Sequence, residues 1–292
     1  MGPTLSDPQS FDAVLPPQMA SKAEAVGVLK AGLDTVSLFV LAFLAGAFIS
    51  LGAIFATTVS AGGGDLPFGV VRLMAGLAFS LGLILVIVGG AELFTGNTLI
   101  VMAWASRAVS SASVLRNWTI VYFGNFVGAL ATAGVMFVSG QYMFGHGSVG
   151  LAALTIGEAK AGLEFVPAIA LGMMCNALVC LAVWLTFSAR TTTDRILAIV
   201  PPIAAFVAIG FEHSIANMYF LPEALAIKTW APAEFWTAIG RGPADFPNLT
   251  LEGFLVRNLV PVTIGNVIGG AVMVGVVYWF VYLRGRRSST PQ

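Results

Sequence analysis

Six long apolar runs, separated by short polar stretches, organise this chain of 292 residues. They cover approximately 36–59, 67–97, 118–139, 165–187, 196–220 and 259–283. Each reaches the roughly 20 residues that a helix needs to cross a hydrocarbon layer about 30 Å thick. The runs are continuous and lack the period-two alternation of a membrane strand. The pattern predicts an all-α integral membrane protein with six transmembrane helices.

The second and fifth runs are interrupted by the same polar pattern, Gly-x-Glu-x-x-x-x-Asn. It reads Gly90-Ala91-Glu92-Leu93-Phe94-Thr95-Gly96-Asn97 in the first copy and Gly210-Phe211-Glu212-His213-Ser214-Ile215-Ala216-Asn217 in the second. A carboxylate at membrane depth costs about 2.5–3.5 kcal/mol on insertion scales, so a matched pair needs a reason. Glycine before each glutamate relieves the backbone, which predicts that helices 2 and 5 are broken there. The third and sixth runs share a second pattern, Gly124-Asn125-Phe126-Val127-Gly128 and Gly265-Asn266-Val267-Ile268-Gly269. Each half therefore holds three spans, and an odd number turns the second half upside down. Two inverted three-helix repeats with interrupted helices place a transport path near the bilayer midplane.

The expected organisation is a cytoplasmic N-terminal segment over 1–33, a six-helix channel domain over 34–284 with repeats near 34–140 and 160–284, and a cytoplasmic tail over 285–292. Within the first segment, 18–30 reads as an amphipathic helix with Met19, Ala23, Val26 and Leu29 on its apolar face, either a membrane-surface anchor or a plug over the inner mouth. Orientation follows the basic residues. With both termini cytoplasmic, Lys22, Lys30, Arg107, Arg116, Arg190, Arg195, Arg284, Arg286 and Arg287 lie inside, nine of the 14 Lys and Arg. Asp7 and Asp12 stand where a secretory signal would be basic, so no cleavable signal is expected.

Composition narrows the classes. Hydrophobic residues make up 58% and charged residues 10%, against about 25% charged in a soluble domain. A formal net charge of zero implies no nucleic-acid partner. Cys175 and Cys180 share one helix and read as packing residues. No cofactor motif or metal-ligand cluster is present, so neither is expected, and an enzyme is disfavoured.

The candidate chemistry lies at the interruptions. Each half-helix that follows needs its first N–H groups satisfied, and Glu92 and Glu212 read as the acceptors, meeting the positive end of the helix dipole. Asn97 and Asn217 close the two patterns as structural partners. His213 sits inside the second interruption and can exchange a proton near neutral pH, which points to the pathway. Thr95 lies in the first interruption and can donate to an anion or bind a backbone carbonyl. Asn176 and Asn266 are amides at membrane depth, read either as helix-to-helix hydrogen bonders or as pathway residues. Phe79 and Leu83, four apart on one helix, and Asn176 and Val179, three apart on another, mean either packing or a hydrophobic constriction.

At these residues the chain resembles the formate/nitrite transporter family, and most closely its formate channels. The resemblance spans nearly the whole length. It includes Phe11-Asp12-Ala13-Val14-Leu15-Pro16-Pro17-Gln18-Met19-Ala20, Ala91-Glu92-Leu93-Phe94-Thr95-Gly96, Cys175-Asn176-Ala177-Leu178-Val179-Cys180, Gly210-Phe211-Glu212-His213-Ser214-Ile215-Ala216-Asn217 and Asn258-Leu259-Val260-Pro261-Val262-Thr263-Ile264-Gly265-Asn266. It implies an aquaporin-like protomer assembled as a homopentamer in a bacterial cytoplasmic membrane. It also implies an outer constriction of Phe79 and Phe206 and an inner one of Leu83 and Val179, with Leu93 beside it. His213, Thr95, Asn176 and Asn266 would line the chamber, and Lys160 would attract anions in the outer vestibule.

The expected function is passage of formate, with His213 donating a proton through a hydrogen-bond network of Thr95 and Glu212. Formate or a similar small anion, protons and the lipid bilayer are the expected partners. Alternatives are a nitrite or hydrosulfide channel of the same family, and a neutral-solute or water facilitator.

Overall fold

The computed structural model of the protein describes residues 12–285. Asp7, Phe11 and the tail 286–292, all used in the sequence reading, lie outside the described residues. Eleven helices organise the described residues: α1 Pro16–Ala31, α2 Thr35–Ser60, α3 Phe68–Gly89, α4 Phe94–Ala105, α5 Ser111–Ser139, α6 Ser148–Ala161, α7 Phe165–Ser188, α8 Thr192–Ile209, α9 Ser214–Trp230, α10 Ala233–Ile239 and α11 Gly253–Tyr282. Six of them, α2, α3, α5, α7, α8 and α11, are long and apolar enough to cross a membrane.

Local chemistry sets the ends. Asp34 accepts the Val36 and Ser37 N–H groups and starts α2. Ser110 caps α5, which begins before the apolar run because the cap starts the helix, whatever the polarity of the turns that follow. Thr191 and Asp194 form a reciprocal capping box at α8. At the other end, α3 and α8 stop where Gly90 (φ 82°) and Gly210 (φ 94°) turn left-handed, a conformation that side chains with a Cβ resist. Four residues later in each case a new helix starts. The sixth span is wound partly as π-helix, over Gly253–Leu259 and Ile268–Val276.

Helix α2 packs on α3 and α5, and α7 packs on α8 and α11; α3 and α8 lie against one another. The Gly-Asn patterns provide the close approach. A Cβ on Gly128 would overlap the Phe43 carbonyl, and one on Gly269 would overlap the Met173 carbonyl. Side chains such as Leu73, Phe123, Val138, Val166 and Leu197 stand exposed on the flanks, as a hydrocarbon surround permits.

Helix α1 forms where expected, with a different buried stripe. Met19, Ala20, Ala23, Gly27 and Ala31 are buried, and Gly27 rests against Ala103 and Ile100 at the end of α4. Leu29, expected on that face, is 71% exposed. The small residues win because they let two helix backbones approach closely.

Candidate functional site

Two matching sets of buried polar contacts stand at the non-helical segments. In the first, Lys30 Nζ meets Glu92 Oε1 at 2.7 Å. Asn97 Nδ2 donates to Glu92 Oε2 at 2.7 Å and to Asn117 Oδ1 at 2.9 Å, and Asn117 Nδ2 returns to the Lys30 carbonyl at 3.0 Å. In the second, Lys160 Nζ meets Glu212 Oε1 at 2.8 Å. Asn217 Nδ2 donates to Glu212 Oε2 and to Asn258 Oδ1, each at 2.7 Å, and Asn258 Nδ2 returns to the Lys160 carbonyl at 3.0 Å. The glutamates' own N–H groups are taken by carbonyls of adjoining helices, Leu41 for Glu92 and Leu171 for Glu212.

This corrects the sequence reading of the glutamates. Neither carboxylate accepts the first N–H groups of the following helix; Glu92 is occupied by Lys30 and Asn97, and Glu212 by Lys160, Asn217 and Asn258. The capping falls to other residues. Asn125 Oδ1 accepts the Phe94 N–H at 2.9 Å, and Asn266 Oδ1 accepts the Ser214 N–H at 2.9 Å. His213 is itself the N-cap of α9, its Nδ1 accepting the Ala216 N–H at 3.0 Å. A carboxylate next to a buried ammonium gains more from that charge than from a neutral amide.

The capping bond also settles the histidine tautomer. A ring nitrogen that accepts an N–H carries no proton, so neutral His213 holds its proton on Nε2. Nε2 lies 3.0 Å from Thr95 Oγ1, and Thr95 therefore accepts. That bond joins the two interrupted regions directly. Glu212 takes no part in it, contrary to the expected network, because its oxygens face Lys160 and the asparagines.

Two cavities flank this contact. One, of about 250 Å³, is lined by Phe79, Phe206, His213, Lys160, Glu212 and Arg72, among others. The Phe206 ring stacks on His213 at 5.9 Å, and meets Phe79 edge-on at 5.6 Å. The other cavity, of about 330 Å³, is lined by Leu83, Leu93, Lys30, Glu92, Lys22 and Arg195, among others. Phe79 bounds the first and Leu83 the second, one turn apart on α3, about 6 Å along the axis. Val179, Thr95, Asn176 and Asn266 face neither cavity; all four are buried.

The two membrane amides are committed to protein partners. Asn266 Nδ2 donates to the Gly172 carbonyl at 2.8 Å and to the Glu212 carbonyl at 2.9 Å. Asn125 does the same with Ala42 at 2.7 Å and Glu92 at 2.9 Å. Asn176 Nδ2 donates to the carbonyls of Asn266 (2.6 Å) and Thr95 (3.2 Å) and reaches Thr98 Oγ1 at 3.2 Å. With both N–H bonds spent, Asn266 holds the start of α9 in place and offers a substrate no donor in this arrangement.

Sequence reasoning missed Lys30 and Lys160 as partners of the glutamates, and Asn117 and Asn258 as the amides that link each asparagine of the pattern to its lysine's carbonyl. A signal was present: Lys30-Ala31-Gly32-Leu33-Asp34 recurs as Lys160-Ala161-Gly162-Leu163-Glu164. Each copy ends a short helix and delivers the lysine to a glutamate far along the chain.

The comparisons with known proteins agree with this geometry. The family described as Formate/nitrite transporter matches residues 17–280. Formate channel FocA of Escherichia coli (strain K12) is 47% identical over 274 residues, 94% of this chain and 96% of its own length. Formate channel FocA of Haemophilus influenzae is 40% identical over 90% of this chain and 93% of its own length. Among solved structures, one described as a pentameric formate channel with formate bound superposes with a TM-score of 0.82 at 48% identity, covering 86% of this chain and 98% of that one. An ion channel of the same family gives 0.75 at 28% identity, over 90% and 98%. A match that begins inside α1 and ends inside α11 takes in all six spans and both lysine–glutamate pairs, and by it the chain belongs to the formate/nitrite transporter family.

Proposed function

We propose that this protein passes formate across a bacterial cytoplasmic membrane as a homopentamer, each protomer carrying its own pore. The carrying observation is the His213–Thr95 contact between two cavities, closed on one side by Phe79 and Phe206 and on the other by Leu83 and Leu93. The FocA relatives are formate channels by name, and the structural neighbour is a pentamer with formate bound. The distribution of Lys and Arg supports cytoplasmic termini, which makes the Lys160 cavity the outer mouth and the Lys30 cavity the inner one.

In this reading α3–α4 and α8–α9 are two broken spans related by an inverted repeat. The matched contacts around Glu92 and Glu212 support it, and they bring α1 and α6 into the repeat as its first elements. Val179 joins Leu83 and Leu93 at the inner constriction. Asn176 and Asn266 support the pathway from behind, holding the carbonyls and N–H groups of the interrupted segments.

Formate reaching His213 meets the Nε2–H, the hydrogen now held by Thr95. A hydrogen bond from that N–H leaves the cap on α9 intact. Transfer of the proton asks for more. The ring must first be protonated at Nδ1, which displaces the Ala216 N–H; Nε2 then gives its proton to formate, and neutral formic acid crosses the apolar ring. Moving an unneutralised carboxylate through that ring costs far more, on the order of tens of kcal/mol for an isolated ion.

His213→Asn separates the two roles, because asparagine caps a helix and donates N–H bonds but does not titrate. Formate uptake into proteoliposomes between pH 5 and 8 is expected to rise as pH falls in the wild type and to be flat in the variant. Equal pH dependence in both would remove the proton step. Water flux without formate, nitrite or hydrosulfide flux would remove the channel reading itself.

A further inference from the structure

The charges lining the two mouths divide into neutral pairs and unpaired cations. In the Lys160 cavity the charged side chains are Arg72, Lys160 and Glu212. Lys160 and Glu212 are 2.8 Å apart and cancel. Arg72 hydrogen-bonds to backbone, Nη2 donating to the Val207 carbonyl at 2.6 Å and Nε to the Ala208 carbonyl at 3.1 Å, with the guanidinium 6.0 Å from the Phe68 ring centroid, and it forms no ion pair among the described residues. In the other cavity they are Lys22, Lys30, Glu92 and Arg195. Lys30 and Glu92 cancel at 2.7 Å. Lys22 donates to the Phe187 carbonyl at 3.3 Å, and neither it nor Arg195 meets a carboxylate among the described residues.

The two arginines hold matching places. Arg72 stands near the start of α3 and faces the end of α8 at Gly210; Arg195 stands in the first turn of α8 and lines the cavity that Gly90 closes at the end of α3. Cations crowd the second mouth. Desolvation, then Arg195 and Arg190, push the Lys22 ammonium below its ordinary pKa.

We propose that Arg72 at one mouth, and Arg195 with Lys22 at the other, are the charges that collect small monovalent anions, and that Lys160 and Lys30 instead hold the interrupted segments. An ion pair leaves only a dipole, whose field fades over a few ångströms. A net charge at a low-dielectric mouth focuses potential and concentrates counter-ions. A guanidinium has five N–H donors, and Arg72 spends two groups on carbonyls, which leaves donors for a carboxylate oxygen. This inference rests on the channel reading for its consequence, while the site itself can be read without transport.

The test is side-resolved flux of formate and nitrite in right-side-out and inside-out vesicles, with Arg72→Gln, Arg195→Gln and the double variant Lys22→Gln/Arg195→Gln. Arg72→Gln should raise the apparent KM about three- to tenfold at the mouth it lines, leave the opposite mouth and maximal flux unchanged, and flatten the salt dependence. Arg195→Gln should do the same at the other mouth, more so with Lys22→Gln added. Arg72→Lys keeps the charge but not the guanidinium fork on the Val207 and Ala208 carbonyls, so it should restore KM while lowering the melting temperature. Unchanged KM in Arg72→Gln, or Arg72→Lys as impaired as Arg72→Gln, would overturn the proposal and leave Arg72 a helix-end brace. Saturation transfer from formate to the detergent-solubilised protein reads the mouths without flux. A signal lost in the Gln variants would keep the site standing even were no vesicle to transport, and one unchanged in all of them would overturn it.

Discussion

The two interrupted regions are built from the same contacts, and they differ at one telling place. Position for position, Lys30, Glu92, Asn97, Asn117 and Asn125 correspond to Lys160, Glu212, Asn217, Asn258 and Asn266 and share their principal bonds, with one added contact from Asn258 Nδ2 to Glu212 Oε2 at 3.3 Å. The residue after the glutamate is Leu93 in one region and His213 in the other. The scaffold is therefore duplicated and the chemistry is not. Lysine, glutamate and asparagines hold a helix start at membrane depth, and the next residue is free to be an apolar stop or a titratable ring. The scaffolds also differ in burial. The Lys30 side chain is 27% exposed and bonds Asn97 Oδ1 as well as Glu92, whereas that of Lys160 is 16% exposed and Asn217 Oδ1 has no partner.

That difference predicts unequal costs for breaking each pair, and these are the largest effects expected. Lys160→Met leaves Glu212 a buried carboxylate without its ion-pair partner and should cost about 3–5 kcal/mol. Lys30→Met leaves Glu92 in the more exposed of the two pairs and should cost less, about 1–3 kcal/mol. Thermal unfolding in one detergent compares them. Equal losses would mean that burial does not distinguish the two scaffolds.

The amides behind the glutamates sharpen the comparison from the side of sameness. Asn125 and Asn266 are both fully buried and each makes three bonds to backbone groups of the same kinds. Replacing either by alanine strands one N–H and two carbonyls, so each should cost about 2–3 kcal/mol, and the two values should agree. A much larger loss at Asn266 in formate flux than in stability would place it on the pathway, one of the two roles read from the sequence.

How far the sequence carried this reading follows from what a linear pattern records. The six apolar helices were legible because lipid demands long apolar runs, and the left-handed stops at Gly90 and Gly210 were legible because glycine, glutamate and asparagine recur at fixed spacing within a single segment. The partner of each glutamate was not. Lys30 lies 62 residues from Glu92 and Lys160 lies 52 from Glu212, separations about which a periodicity says nothing. Proximity along the chain suggested that the carboxylates cap the helices beside them; folding brought a stronger partner to each, and a histidine and two asparagines capped instead. His213 was picked out for its capacity to titrate, yet nothing in the sequence showed that its Nδ1 is held by the Ala216 amide. The paired lysines were legible in principle, through the repeated Lys-Ala-Gly-Leu and its closing acid.

That closing acid supplies the smallest test of the duplication. Asp34 follows the first copy and caps α2, accepting the Val36 N–H at 3.1 Å and the Ser37 N–H at 3.0 Å. Glu164 follows the second copy, occupies the same N-cap position before α7 and makes no side-chain cap bond. Pro167 stands where the first copy has Ser37 and carries no N–H, so only the Val166 N–H remains for a cap, and the longer Glu164 side chain does not take it. The Ser37 N–H, followed by its hydroxyl and the Val36 N–H, holds the Asp34 carboxyl below its ordinary pKa. A depressed carboxylate stabilises the fold above its unfolded pKa and loses that contribution as pH falls through the lower folded value, so the α2 cap should weaken only in acid. Asp34→Glu should speed amide exchange at Val36 and Ser37, and Glu164→Asp should slow it at Val166, the one N–H left to cap because Pro167 has none. Both changes should vanish below the carboxylate range. If Glu164→Asp slows nothing, the N–H that Pro167 lacks, and not side-chain length, separates two helix starts whose N-cap backbones match (φ −64°, ψ 157° and φ −73°, ψ 154°), and the duplication ends at the lysine.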